Sequence, residues 1–590
     1  MTQVSLASLL VCTSFVASSA FAADVLTIRD IAPDTAFLVV GVDDMKGMWS
    51  RVESTGFGKL WNDAGVLEEV KKFKDKMEKD LAEAANEAGF QRDELTWPSS
   101  LGAALVAELD EELGIPSVEF IFFADWGADS EKAAKVLDAM MAKMEKTAEA
   151  GGEKIAAEEI RGRRALVLSL GADAPEGDEE GDEMDAMGMG MPELGPRSMC
   201  MVSDKGRLLV SGSTASMDML LTRVDGDHAK SAGETETFKN AAQLAGGTQD
   251  LYAVFTTKPA ASLMSTVPQM ILFQPLLERV FGDIQAISVG LHANDGVFEQ
   301  GFGVYMPNGK GGVLSLVDAS SIPTAPSAMV PADAVSYMTV NVKFDQIVAV
   351  LDGIIAGLPE EQVEMVKDSL EMFRPAMTAA FASMGPQLQN WSSAFDAENP
   401  LASTSVTAIA MKNDKDSAAA VSDMLNLLPL GLQSRDFNGM TILSDEFAPM
   451  AVGIGGGAML LGSVQQVEQG LRSVDAKGEA GLAGNPQFAA ALASMSKEPL
   501  VAMGWTDFAQ QFASATYAMT VMQEQMGAMS GIDEDAEIPG LGVAMGDLSG
   551  LRALMKADSM KRCFGDATFD VRSLSNGFAS RYRIYPAATK

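Results

Sequence analysis

Catalysis needs nucleophiles and bases, and this chain is short of both. Its 590 residues include two histidines, His228 and His292. A Ser-His-Asp triad or a histidine zinc site would have to use one of them. His228 lies in the polar run Val224-Asp-Gly-Asp-His-Ala-Lys230, and His292 ends an apolar run at Gly290-Leu-His-Ala-Asn-Asp295. Neither has a histidine partner at helical spacing. No catalytic residue is assigned from the sequence. Walker, Gly-x-Ser-x-Gly and His-Glu-x-x-His motifs do not occur, nor does Cys-x-x-Cys. Gly453-Ile-Gly-Gly-Gly457 has glycines enough for a phosphate loop, but a strand follows it where a dinucleotide fingerprint needs a helix, so it reads as a hairpin turn. Cys200 and Cys563 remain outside the leader, and the sequence leaves open whether they pair.

Metal ligands are better represented. Methionine occurs 38 times. Most of it, as at Met140–Met144 and Met519–Met529, falls at helical spacing and reads as adaptable core filler. Met184, Met187, Met189 and Met191 are different. They sit in an acidic, Gly- and Pro-rich run over 171–197, with Met199-Cys200-Met201 just beyond. Thioether sulfur selects Cu(I), so these four are candidate Cu(I) ligands, set against a background that is Met-rich throughout. The acidic stretches Asp178–Asp185 and Asp533–Glu537 offer oxygen ligands for weak Ca²⁺ binding, though neither has EF-hand spacing. No other cofactor is expected.

The chain carries 44 Lys and Arg against 81 Asp and Glu, a net charge of -37. Such a field repels phosphate backbones and anionic lipid heads, which excludes nucleic acid as an expected partner. Hydrophobic content of 47% is that of an ordinary globular chain.

The elements that would position any site occur twice. Val202-Ser-Asp-Lys-Gly-Arg-Leu-Leu-Val-Ser-Gly212-Ser213 aligns with Val452-Gly-Ile-Gly-Gly-Gly-Ala-Met-Leu-Leu-Gly462-Ser463. Leu221 then matches Leu471, and Phe238 matches Phe488, all at a spacing of 250. A fixed long period points to repeated units. Upstream, the turn and strand Ile31–Val42 correspond to Val330–Val342. Strands are expected at Leu101–Ala107, Val118–Ala124, Ile284–His292 and Val297–Tyr305 in the first copy, and at Val406–Met411, Leu548–Ala557 and Phe569–Tyr585 in the second. Hairpins are expected around Gly162, Gly206, Gly439 and Gly456. Val66, Val70, Phe73, Met77 and Leu81 lie on one face of a helix over 64–90, and Val363, Val366, Leu370 and Phe373 do the same in the second copy.

Residues 4–20 are apolar or small, and Ala20-Phe21-Ala22 fits a cleavage site, so 1–22 reads as a secretory signal peptide. Its n-region has no Lys or Arg, which keeps an uncleaved anchor as the other reading. Pro33-Asp34-Thr35, Val42-Asp43-Asp44 and Gly58-Lys59-Leu60-Trp61 resemble the opening of a class of large uncharacterised exported bacterial proteins, a domain-of-unknown-function class. That resemblance implies location and no activity.

The fold expected is α+β: two tandem copies of one mixed, mostly antiparallel sheet-plus-helices domain, with the helices on one face. The first copy takes 23–306 and contains the insert 171–197, which is too polar and Gly-rich to order itself. A Gly-, Ser- and Pro-rich linker spans 307–328, and the second copy takes 329–590. The function expected is an exported, periplasmic or extracellular, non-enzymatic scaffold or binding module for an envelope protein or ligand, with no membrane span after cleavage. Two other readings stay open: a carboxylate-based hydrolase, needing two acids from separate strands, and a periplasmic Cu(I)-binding protein using the Met-rich loop.

Overall fold

The computed structural model describes residues 25–588, leaving out most of 68–95, all of 110–115, 170–197, 395–404 and 513–556, and stretches of up to five residues elsewhere. Its strands form one open sheet of twenty. The N-terminal half supplies β1 (Ala36–Val42), β2 (Ser100–Leu109), β3 (Pro116–Asp125), β4 (Ile155–Ile160), β5 (Arg163–Ser169), β6 (Ser198–Asp204), β7 (Arg207–Ser211), β8 (Leu251–Thr256), β9 (Ala286–Asn294) and β10 (Val297–Tyr305). The C-terminal half supplies β11 (Ser336–Asn341), β12 (Met384–Ser392), β13 (Ser405–Met411), β14 (Gln433–Phe437), β15 (Met440–Ser444), β16 (Ala451–Gly455), β17 (Ala458–Gly462), β18 (Ala502–Asp507), β19 (Phe564–Leu574) and β20 (Gly577–Pro586). Across the sheet the order is β4-β5-β6-β7-β3-β2-β1-β8-β9-β10 and then β20-β19-β18-β11-β12-β13-β17-β16-β15-β14. Every described ladder is antiparallel, so the class is α+β. The two halves meet where β10 pairs with β20.

Turn chemistry sets the hairpins. A two-residue hairpin whose twist matches its strands needs positive φ at both central residues. The β4–β5 turn has Arg161 at φ 53 and Gly162 at φ 73, and β14–β15 has Asn438 at 55 and Gly439 at 79. The β6–β7 turn uses Lys205 at 52 and Gly206 at 75, and β16–β17 uses Gly456 at 62 and Gly457 at 81. The glycine run at 453–457 is therefore a strand end and its turn. Helix starts are equally local. The Ser213 hydroxyl accepts the Ser216 N–H at 3.1 Å to cap Thr214–Val224, and Asn485 caps Pro486–Ser494. Such caps satisfy donors that a helix N-terminus leaves open.

Around β7 and β17 helices cover both faces of the sheet, not one face as the strand count suggested. Side chains alternate along a strand, and in β7 Leu209 joins one buried cluster with Phe123, Leu220 and Phe238, while Leu208 and Val210 join another with Leu137 and Met141. The same division separates Leu460 from Met459 in β17. An unbroken run such as Leu208-Leu209-Val210 is what a doubly covered strand requires.

Two expectations near the C-terminus are corrected. Phe569–Tyr585 is not one strand: β19 and β20 turn at Ser575-Asn576, pairing Leu574 with Gly577. Ala557, expected to end a strand, opens the helix Ala557–Cys563, while 548–556 lie outside the described residues. The helix expected over 64–90, the insert 171–197 and the leader also lie wholly or largely outside them. The stretch 307–328 packs against both halves: Leu314 and Val317 cluster with Ile284 and Val304 of the first and Val571 and Phe578 of the second, and Ile322 is buried with its N–H donating to the Leu500 carbonyl at 3.1 Å. No helix among the described residues is long and apolar enough to cross a membrane.

Candidate functional site

The seam between β10 and β20 has two unlike faces. One face is apolar. Phe298 sits opposite Ile584 in register, and Val304 opposite Phe578. Phe298 packs edge-on against Phe57 of the helix Gly56–Trp61, and Phe57 in turn against Phe564. Leu60 and Phe298 from the N-terminal half thus share one cluster with Met560, Cys563, Phe564 and Ile584. Beside it, Asp63 accepts hydrogen bonds from Arg562 Nε at 2.9 Å and Ser559 Oγ at 2.8 Å. Arg562, then Ser559 and the Gly65 N–H, hold the Asp63 carboxyl well below the usual carboxylate range against the opposing effect of burial.

The other face is polar. Glu299 in β10 faces Arg583 in β20, and Gly301 faces Arg581. Arg583 Nε donates to Glu299 Oε2 at 2.6 Å and Nη1 donates to Asp570 Oδ2 at 2.9 Å. Asp570 is fully buried, with Oδ1 unpartnered. Burial works against the Arg583 charge, but Glu299 and Asp570 outweigh it and raise the pKa above the ordinary arginine value. Arg581 lies 3.7 Å from Glu299, and Arg572 donates to Glu498 at 2.5 Å.

This polar row continues into the N-terminal half. His292 of β9 stands opposite Glu299. Its Nδ1 lies 3.2 Å from Asp250 Oδ2, without the geometry of a hydrogen bond. Asp250 is 5% exposed and accepts from Arg51 Nε at 2.8 Å and from the Ala293 N–H at 2.8 Å. The Asp250 hydrogen bond raises the pKa of Arg51. Among the described residues no hydroxyl or thiol hydrogen-bonds to His292, which lies between the Arg51–Asp250 pair and the Glu299–Arg583 pair. His228 lies outside the described residues.

The candidate Cu(I) ligands Met184, Met187, Met189 and Met191 lie outside the described residues, as do both acidic stretches. Among the described residues no three His, Cys, Asp or Glu side chains are grouped to hold a metal. Cys200 and Cys563 are both buried free thiols, in separate clusters. One pair of acids does converge from two strands. Asp507 of β18 faces Asp566 of β19. Burial pushes the Asp566 carboxyl up, Trp505 pulls it down, and Asp507 adds to the rise. A shallow depression lined by Met329, Pro331, Trp391, Val406, Gln466 and Gln469 lies elsewhere, and its lining contains no ionisable side chain.

The seam residues escaped the sequence reading. Arg581-Tyr-Arg583 puts two arginines on one side of an otherwise apolar strand, which is a readable signal. Treating 569–585 as one strand hid its register.

No protein-family model matches the chain, and no curated protein does. A solved structure, crystal form I of TP0453, aligns over 46% of this chain and 81% of that one, with 10% identity and a TM-score of 0.22. A likeness that low carries no argument.

Proposed function

We propose that this chain is an exported, non-enzymatic scaffold or binding module made of two tandem copies of one sheet-plus-helices unit, 23–306 and 329–590, joined by 307–328. Strand rank is the observation that carries the reading. Counted inward from either rim, the strands of a half follow in the order fourth, fifth, sixth, seventh, third, second, first, eighth, ninth, tenth. Ten ranks repeated in order are hard to reach except by duplication. The signal-like leader and the N-terminal resemblance support export. The polar clusters support a non-catalytic role, since their carboxylates are spent on arginines.

Chemical cross-linking in intact envelope fractions, read by mass spectrometry, tests this. The expected result is one recurrent partner cross-linked to the mature chain. Recovery of the chain from the cytoplasm alone would defeat the export reading.

The facing pair Asp507 and Asp566 favours a second reading, the carboxylate hydrolase, because such an enzyme needs two acids brought together from separate strands. Turnover of a glycoside panel by the wild-type chain, lost in Asp566→Asn, would replace the scaffold with the enzyme. No turnover by the wild type removes that alternative.

A further inference from the structure

We propose that the β10–β20 seam is a charge-coded surface that fits unlike halves and rejects like ones, with Glu299, Arg581 and Arg583 as the residues that decide the pairing. The proposal rests on the seam's own geometry and stands whether or not the halves arose by duplication.

The register is close to two-fold. The β9–β10 hairpin pairs Asn294 with Val297, and the β19–β20 hairpin pairs Leu574 with Gly577. Position 297 thus corresponds to 577, and 301 to 581. Gly301 faces Arg581, its own counterpart, so the local two-fold axis passes through that pair. A strand on such an axis could in principle pair with another copy of itself, because an isologous contact is self-complementary. The side chains oppose this. A second β20 in that register would set Arg581 against Arg581, and like charges directly opposite are destabilising. A second β10 would set Gly301 against Gly301 and Glu299 against Gly303, leaving Glu299 without a cation. Only the unlike pair gives Glu299 both arginines, at 2.6 and 3.7 Å.

The asymmetry is fixed by packing. A Cβ at Gly301 would lie 1.7 Å from the Ala245 carbonyl oxygen, just past the helix Glu236–Leu244. At Gly303 it would lie 2.6 Å from Leu244 Cβ. Arginines cannot occupy β10 at these positions while that helix sits on it. The cations therefore belong to β20 and the anion to β10. The opposite face, Phe298 against Ile584 and Val304 against Phe578, is apolar and supplies cohesion without discrimination.

The test uses the full chain with a specific protease site placed in the exposed loop at 308–309 and cut after folding. The cut wild type should elute as one species in size exclusion through a urea series below unfolding. Glu299→Lys sets a cation against both arginines and should weaken association roughly 30-fold or more, so its halves part at lower urea. Gln300→Lys puts a lysine on the other face of the same strand, where Gln300 is exposed, and should leave association unchanged. Circular dichroism of the uncut variants separates seam loss from misfolding. If uncut Glu299→Lys does not fold, Glu299→Gln takes its place, with a smaller loss expected. Three results overturn the proposal: wild-type halves that part on cutting, a Glu299 variant that folds and stays as tightly joined as wild type, or Gln300→Lys weakening the seam as much as Glu299→Lys.

Discussion

Gly301 and Arg581 face each other across the middle of the sheet, one with no side chain and the other with one of the longest. The carbonyl of Ala245 occupies the space a Gly301 side chain would need. Backbone cannot swing aside as a flexible side chain can. Gly301→Ala should therefore destabilise the chain by about 1–3 kcal/mol, the range of overpacked sites. Arg581→Ala, at a half-buried and loosely held guanidinium, should cost less. Urea midpoints of the two variants check the ranking, and equal midpoints would refute it.

Asp63 predicts an acid response. Its folded pKa is lowered, chiefly by Arg562. A carboxylate depressed in this way stabilises the fold above its unfolded pKa of about 3.9. That stabilisation is lost as pH falls from there toward the folded value. Asp63→Asn should be less stable than wild type at pH 7, and the gap should narrow below about pH 4. A gap that is constant with pH from 7 to 3 would show that Asp63 acts through something other than charge.

The insert should be dispensable. Its ends are neighbours, since Ser169 of β5 pairs with Ser198 of β6. The corresponding junction pairs Ser444 with Ala451, spanned by only six residues. Loop closure costs about 0.6 kcal/mol per doubling of length. Replacing 172–196 by a four-residue turn should thus change stability by no more than ~1–2 kcal/mol. Denaturant midpoints of both forms, with and without Cu(I), check this. Intact stability with loss of tight Cu(I) binding would move function to Met184, Met187, Met189 and Met191.

The two thiols should be silent in the native chain. Burial pushes Cys200 up to about 11 and also raises Cys563, with Asp63 adding to it. The thiolate is the reactive form. A disulfide-exchange reagent at pH 8 should label neither until denaturant is added. Rapid native labelling would place one of them at the surface.

How far the sequence could be read differs from element to element. The four positive-φ turns were visible because Gly162, Gly206, Gly439 and Gly456 answer a backbone demand that few residues meet. What could not be read was partnership at a distance. Nothing near Glu299 names Arg583, 284 residues on, because a strand's pattern shows which faces it buries and not which edge it joins. Double coverage was missed for a related reason: Leu208-Leu209-Val210 reports two buried faces only when both covering layers are known. The Met-rich candidates fall outside the described residues, so the fold bears on them only through the pairing of Ser169 with Ser198.

The strand that completes the middle of the sheet is the last of the described strands to be made. β20 lies between β10 and β19, and it ends at Pro586. β10 is finished at Tyr305. At about 5–20 residues per second, ribosomes leave that edge bare for roughly 15–55 s. Through that interval the N-terminal half carries an open ladder with Phe298, Phe302 and Val304 along it, the kind of edge that recruits other chains. A chain cut short before residue 577 never closes it. Nascent and truncated forms therefore carry an aggregation hazard that β20 removes, and the need for a holding chaperone is set by the time at which that one strand arrives.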